Sequence, residues 1–410
     1  MTLLVAGDSA TTDRQLSFRA LHSFADAESL RPTWNELVLR YGADVYQTFD
    51  WCQLWWRHYG ARRQLHLLLY FSGEELVGVV PAFAETLWLG PVRLRVAKLV
   101  GADFSLHLSN LPVDPDALPS VVSSTIRYFL GQQRCDLLLL GPLSGPCARL
   151  DEILAAGIQE GALVEKAEPL GTSCNTYFKL PATFSEYEKS IGKQQRGNLN
   201  RTVAQLSKAH RVAFDVVSQP AQVAAAFEEF LALHEAQWRA EGKLGHFGDW
   251  PDAKDYNRDL VRTLGAHGMV RFHRILADNR VVSSQYSYVF GGINYWRLPA
   301  RAFAPKWDRL SFGRMGLAKM IGASISEGLH TIEGGRGHYD YKLQMGGHEL
   351  PLRTIQFMRR GPGVSARVRV FRTFASLLDL AYYKVVFTRL APRMPVLQQS
   401  LWPVWIRSTW

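Results

Sequence analysis

The sequence predicts an α+β protein of two similar lobes, each a mixed, mostly antiparallel sheet flanked by helices, with a basic helical tail behind them. Element order is the first observation: both halves show a helix pair, a strand-turn-strand hairpin, another helix and another strand. The second is size, since 410 residues that are 47% hydrophobic, with 12 Trp, 15 Tyr and 21 Phe, can bury more than one core. The third is charge, because the net +10 is concentrated in two segments. These observations place the lobes at 1–180 and 181–360 and the tail at 361–410.

In the first half, residues 17–25 read as a strand, and 30–42, with Trp34, Leu37 and Val38 at helical spacing, as a helix. An aromatic segment follows, from Tyr46 through Trp51 to Trp56. Residues 64–71 and 76–83 flank the turn Ser72-Gly73-Glu74-Glu75 as a hairpin. Further strands are expected at 87–89, 94–99 and 135–140, and helices near 118–132 and 147–161. After Pro181 the order recurs: a helix start at 183–193, a basic helix at 193–210, a strand at 212–217 and a long helix at 220–241. Residues 269–277 and 281–290 form a hairpin about Asp278-Asn279-Arg280, 294–298 continues the sheet, and a helix at 311–328 precedes a strand at 329–333.

Composition excludes several classes. Cys52, Cys135, Cys147 and Cys174 show no C-x-x-C spacing, so neither a disulfide framework nor a zinc ribbon is expected, and a reducing cytoplasm fits. The first residues lack a signal-peptide pattern, and no uncharged apolar run reaches the ~20 residues that span a bilayer. The histidines form no H-E-x-x-H pair and no metal is expected; Walker A and dinucleotide fingerprints are missing.

The charge is local. From Arg359 to Trp410 nine basic residues face one acid, Asp379, and from Lys189 to Arg211 there are six basic residues and no acid. The remainder is slightly acidic, which argues against a general nucleic-acid binder and for local anionic ligands: cofactor phosphates or a lipid surface.

The chemistry concentrates in residues 291–347. Ser311-Phe312-Gly313-Arg314 closes a loop and opens a helix, a junction that aims free backbone N–H groups at an anion, with Arg314 adding a fork of donors. Ser311 also suits an ordinary N-cap. Downstream, Glu333 ends a strand, Gly334, Gly335 and Gly337 permit a tight loop, and Arg336, Asp340, Tyr341 and Lys342 crowd ionisable groups into it. Glu333 and Asp340 are candidate proton acceptors. Equally, Glu333 could pair with Arg336, and Tyr341 could be a core aromatic.

The Tyr288-x-Phe290-Gly291-Gly292 hairpin, Leu310-Ser311-Phe312-Gly313-Arg314 and Glu333-x-Gly335-Arg336-Gly337-x-x-x-Tyr341-Lys342 resemble the GNAT-type acetyltransferases of the CelD-like, cellulose-biosynthesis group, relatives of the Fem peptidyltransferases. Trp34, Phe49-Asp50-Trp51, Phe184-Ser185-Glu186-Tyr187 and the Lys193–Arg201 run, similar to the group's K-x-R-x-N-x-R segment, agree with this over roughly residues 30 to 360. Leu310 and Met315 depart from the GNAT loop pattern R/Q-x-x-G-x-G/A, and Phe312 and Glu333 stand where the group usually has Pro and Asp.

The resemblance implies tandem GNAT-like lobes, the second binding acetyl-CoA or another acyl-CoA through Ser311, Phe312, Gly313, Arg314 and Gly316. The acyl group would pass to an amine or hydroxyl of a sugar, polysaccharide or envelope intermediate. Glu333 or Asp340 would take the acceptor's proton and Tyr341 would protonate the departing thiolate. Lys193, Arg196, Arg336 and Lys342 would hold anionic groups of the substrates. Two alternatives stand beside this: a Fem-like transferase using aminoacyl-tRNA, the one case in which nucleic acid is expected, and a non-catalytic GNAT-like scaffold in polysaccharide biosynthesis. For residues 364–410, a basic helix with a wide apolar face, the expectation is either docking on the body or peripheral contact with the inner face of the membrane.

Overall fold

The computed structural model describes residues 16–89, 91–103, 110–144, 149–167, 174–249, 252–303, 310–390, 393–394 and 401–408. Cys147, the expected start of one helix, lies outside them. The strands are β1 (Leu16–Leu21), β2 (Gln64–Ser72), β3 (Glu75–Leu89), β4 (Val92–Leu99), β5 (Leu137–Ser144), β6 (Leu163–Ala167) and β7 (Cys174–Lys179), then β8 (Val212–Val217), β9 (Val270–Ala277), β10 (Arg280–Phe290), β11 (Ile293–Arg301), β12 (Thr331–Arg336) and β13 (His348–Met358). They form one sheet in the order β1-β2-β3-β4-β5-β13-β7-β12-β11-β10-β9-β8, with β6 also on β13.

The internal repeat is real at the level of topology. Helices Arg31–Arg40 and Phe49–Tyr59 lie between β1 and β2, and Pro220–Ala240 and Ala253–Ala266 between β8 and β9. Leu118–Ile126 joins β4 to β5 as Phe312–Ser326 joins β11 to β12. Each lobe has one parallel pair, β4 with β5 and β11 with β12; the other pairings are antiparallel. This is the two-lobe architecture expected from the sequence, a mixed sheet flanked by helices.

Each lobe is completed by a strand from the other half of the chain. β13 pairs over Leu352–Met358 with β5 and over Thr354–Met358 with β6, while its first residues pair with β7. β7 in turn pairs with β12. Phe357 of β13 is fully buried against Gly157, where an added Cβ would stand 2.1 Å from the Phe357 ring.

Two local differences from the sequence reading have physical causes. The strands expected at 76–83 and 87–89 are one strand, β3, because the charge of Glu85 between them is met inside the protein by Arg63 at 3.2 Å and Lys98 at 3.4 Å. The helix Ala253–Ala266 was not anticipated, although Tyr256, Leu260, Val261 and Leu264 recur at helical spacing and are buried. It packs on the first lobe, with the Tyr256 ring 5.1 Å from Tyr59 and 6.4 Å from Trp51.

The tail docks on the body by one face. Helix Val364–Leu378 buries Val364, Val368, Phe371 and Ala375 against Leu94, Val96, Leu137 and Leu139. Arg359 and Arg367 clamp Asp136 at 2.8 and 2.7 Å. Among the described residues no helix is long and apolar enough to cross a membrane. Because β13 belongs to both lobes, Phe357→Ala is expected to cost about 3–5 kcal/mol in urea unfolding and to lower the unfolding midpoint of both lobes together. Separate transitions, with the second lobe unaffected, would contradict this.

Candidate functional site

β11 and β12 pair over only three positions, Ile293 with Thr331, Asn294 with Ile332 and Tyr295 with Glu333. Beyond them β11 continues along β10 to Arg301, while β12 runs to Arg336 opposite Asn175 of β7. The two parallel strands therefore part and leave a wedge with Glu333 at its apex. Glu333 is 1% exposed. Its Oε2 accepts the Tyr46 O–H at 3.0 Å and its Oε1 the Gly335 N–H at 2.6 Å. Gly335 directs that N–H back through a positive φ of 80°, a conformation that disfavours side chains.

The Tyr46 hydroxyl also accepts from the Arg297 guanidinium at 2.9 Å, giving a buried chain Arg297–Tyr46–Glu333. Burial pushes the Tyr46 hydroxyl well above its ordinary value, so it stays protonated. Burial opposes the Arg297 charge, but Tyr46, Tyr288 and Glu333 outweigh it and raise the guanidinium overall. Neither Tyr46 nor Arg297 was singled out from the sequence. Tyr46 lies 287 residues from Glu333, and only the packing of the two lobes brings them together.

The ionisable groups after Glu333 divide. Lys342 is buried, and its ammonium donates to the carbonyls of Gly334 at 2.6 Å and Gly335 at 3.4 Å, so it braces the glycine loop; burial pulls it down to about 8, although Glu333 opposes this. Tyr341 is half-buried in the core beside Met345 and Leu317, and burial raises its hydroxyl. Arg336 is half-buried, which disfavours its charge. Asp340 is exposed and sits 3.3 Å from His338, apart from the buried chain at Glu333.

The helix start gathers some of the expected anion ligands. Ser311 is the N-cap of helix Phe312–Ser326 but makes no side-chain cap bond, and an added Cβ on Gly313 would meet open space. Arg314 donates to Gln344 at 2.9 Å, and Gln344 also accepts from Gln195 at 3.3 Å. Gln344 thus ties this helix start to that of helix Lys193–Ala209, which has no side-chain cap either and carries Lys193, exposed, and Arg196, half-buried. Two helix N-termini without side-chain caps and three basic side chains so lie together. Phe312 and Gly316 face inward instead. Phe312 is buried beside Leu206 and Ile275, and a Cβ on Gly316 would stand 2.3 Å from Gln285 Nε2, so this glycine allows close approach of helix to sheet.

Buried polar atoms on the strands of the wedge lack hydrogen-bond partners in the chain: Trp296 Nε1 on β11 and both side-chain polar atoms of Asn175 on β7. Buried polar groups normally find partners, and a ligand is one source of them. A histidine relay joins helix Pro220–Ala240 to the short helix His246–Asp249. The Trp238 indole N–H donates to His234 Nε2 at 2.8 Å, and His246 Nδ1 is 3.3 Å from the same nitrogen. An indole only donates, so His234 Nε2 is an acceptor, and His246 donates to it through Nδ1 and keeps its Nε2 lone pair. Burial, with His246, lowers His234 to about 3. Burial, with Arg297, lowers His246 to about 4, which associates the relay with the wedge.

The first lobe closes the same position. There Lys98 and Leu139 form the third parallel pair, as Tyr295 and Glu333 do, but no carboxylate stands at 139. Lys98 is instead locked to Asp103 at 2.8 Å and to the Arg407 carbonyl at 2.8 Å, so the C-terminal segment seals this lobe.

Residues 193–343, a little over a third of the chain, match the family model described as Acetyltransferase (GNAT) domain. The second lobe is accordingly an acyltransferase domain. None of the curated proteins matches the chain. Among solved structures, FemX is 11% identical at a TM-score of 0.57, over 80% of this chain and 96% of its own. A conserved protein of unknown function from Bacteroides thetaiotaomicron is 11% identical at 0.51, over 84% of this chain and 100% of its own. The C-terminal domain of a chain described as a lysylphosphatidylglycerol synthetase from Agrobacterium fabrum is 13% identical at 0.50, over 87% and 97%. At such identities the likeness is one of fold.

The unfolded chain takes up protons below pH ~6.5 that native His234 refuses, so stability present at neutral pH is lost as pH falls from there toward 3. Between pH 6 and 4, wild type is expected to lose up to about 1.4 kcal/mol per pH unit more than His234→Gln in urea unfolding. Parallel pH dependences would remove the neutral histidine from the relay.

Proposed function

We propose that the second lobe transfers an acyl group from acyl-CoA to an amine or hydroxyl of a sugar, polysaccharide or envelope intermediate, as the CelD-like resemblance suggests. The observation that supports this most is the wedge: a buried Arg297–Tyr46–Glu333 chain at its apex, unpartnered polar atoms along its walls and two uncapped helix starts beside Arg314, Lys193 and Arg196. The phosphates of the donor suit those helix starts, where the helix dipole and guanidinium forks favour anions. In the reaction the acceptor's O–H or N–H proton passes to Glu333, directly or through Tyr46, and its lone pair attacks the thioester carbonyl carbon. The C–S bond breaks, and the thiolate takes a proton from Tyr341. Arg297 holds Tyr46 and Glu333 in register, and Lys342 holds the glycine loop.

A second reading has its own observation. Helix Lys193–Ala209 exposes Lys193, Arg201 and Lys208, followed by Arg211, a basic face suited to the backbone of an aminoacyl-tRNA. Thermal unfolding separates the two: stabilisation by acetyl-CoA, reduced in Arg314→Ala, supports the first, and stabilisation by tRNA alone supports the second. With acetyl-CoA and amino-sugar or polysaccharide acceptors, Glu333→Gln is expected to slow release of the CoA thiol about 10²–10⁴-fold. An unchanged rate would dismiss Glu333 as the proton acceptor.

A further inference from the structure

The tail carries more apolar surface than its docking uses. Among the described residues, nine of the seventeen exposed large apolar side chains lie in the tail. In helix Val364–Leu378, Val370, Phe374 and Leu377 recur at helical spacing on the side away from Val368 and Phe371. Over Asp379–Leu390 the helix widens to i→i+5 bonding, and there Leu380, Val385 and Leu390, 57%, 42% and 39% exposed, recur every fifth residue. The wider turn keeps an apolar stripe outward where an ordinary helix would rotate it away. The inner face is already occupied: Tyr382 and Phe387 cluster with Leu244, and the Trp405 ring stacks on Tyr383 at 4.3 Å.

The charge beside the stripe has one sign. Arg369, Lys384, Arg389 and Arg393 are exposed, with Lys384 3.6 Å from Asp379. Asp379, the one acid after Arg359, is buried and accepts from the Trp405 indole at 3.0 Å. We propose that the outward face of residues 369–390, with Arg393 and Met394, is a docking surface for an anionic lipid membrane, lying in the interface without crossing it. An apolar stripe flanked by basic side chains gains both from burial at the acyl boundary and from attraction to acidic headgroups. A second copy of the chain fits poorly, since a two-fold contact through this stripe would crowd the arginines of each copy against those of the other.

The inner side of the tail meets Leu244, two residues before His246 of the relay, and the membrane binding does not depend on the acyl-transfer reading.

Flotation of the full chain with vesicles tests the binding. Phosphatidylcholine vesicles with about 30% phosphatidylglycerol are expected to carry the protein at least about tenfold better than phosphatidylcholine alone. Binding is expected to weaken in about 0.5 M salt. Phe374→Glu/Leu377→Glu and Arg369→Glu/Arg389→Glu are each expected to lose binding about tenfold with unchanged urea midpoints, since all four side chains are exposed. The surface is refuted if wild type floats with neither vesicle, if it floats equally with both, or if both variants float as wild type does. A concentration-dependent dimer that Phe374→Glu/Leu377→Glu abolishes, without vesicle binding, would assign the stripe to self-association. Loss of acyl transfer in Glu333→Gln with flotation intact keeps the two readings separate.

Discussion

β13 is the constraint on which the rest of the protein depends. One edge meets β5, and the other meets β6 and then β7, so the strand cannot be removed from one lobe without unpairing part of the other. The exchange also fixes β7 beside β12. Asn175, with its unpartnered side chain, is thereby brought opposite Arg336 at the wedge. The site is thus walled partly by a strand that precedes the second lobe in sequence, and partly by Tyr46 from the other end of the first.

Two copies of one topology have diverged at the same point. Where β11 and β12 part, a carboxylate is held by a tyrosine and an arginine, and polar atoms stay unpartnered. Where β4 and β5 part, Lys98, Asp103, Glu85 and Arg63 form a closed set of ion pairs, and the C-terminal segment covers them. Buried charges that pair with one another beneath a chain segment serve as packing. On the proposed reading, the second lobe carries the chemistry and the first supports it.

Much of the fold is legible because it rests on local patterns: the Ser72-Gly73-Glu74-Glu75 turn, the helical spacing of Trp34, Leu37 and Val38, and the order of elements repeated after Pro181. β6, β7 and β13 were not legible. Cys174–Lys179 is short, and Leu350-Pro351 interrupts β13's pattern with a residue that seldom sits inside a sheet. In the candidate site, Glu333 and the Ser311–Arg314 junction were visible as a strand end and a helix start. Tyr46 was not, because no local pattern encodes a partner 287 residues away.

The sequence by itself determined the architecture of repeated α+β units, the helix start with its arginine and the strand-end carboxylate, since each follows from periodicity, caps and turn residues within a few positions. It also located the basic tail. Tertiary structure alone decided that Lys342 braces a loop, that Gly316 serves helix-sheet packing, that the first lobe is sealed, and that one face of the tail docks while the other stays bare. Those outcomes depend on which surfaces meet, and hydrophobic and ionic contacts across distant segments are set by the packed whole.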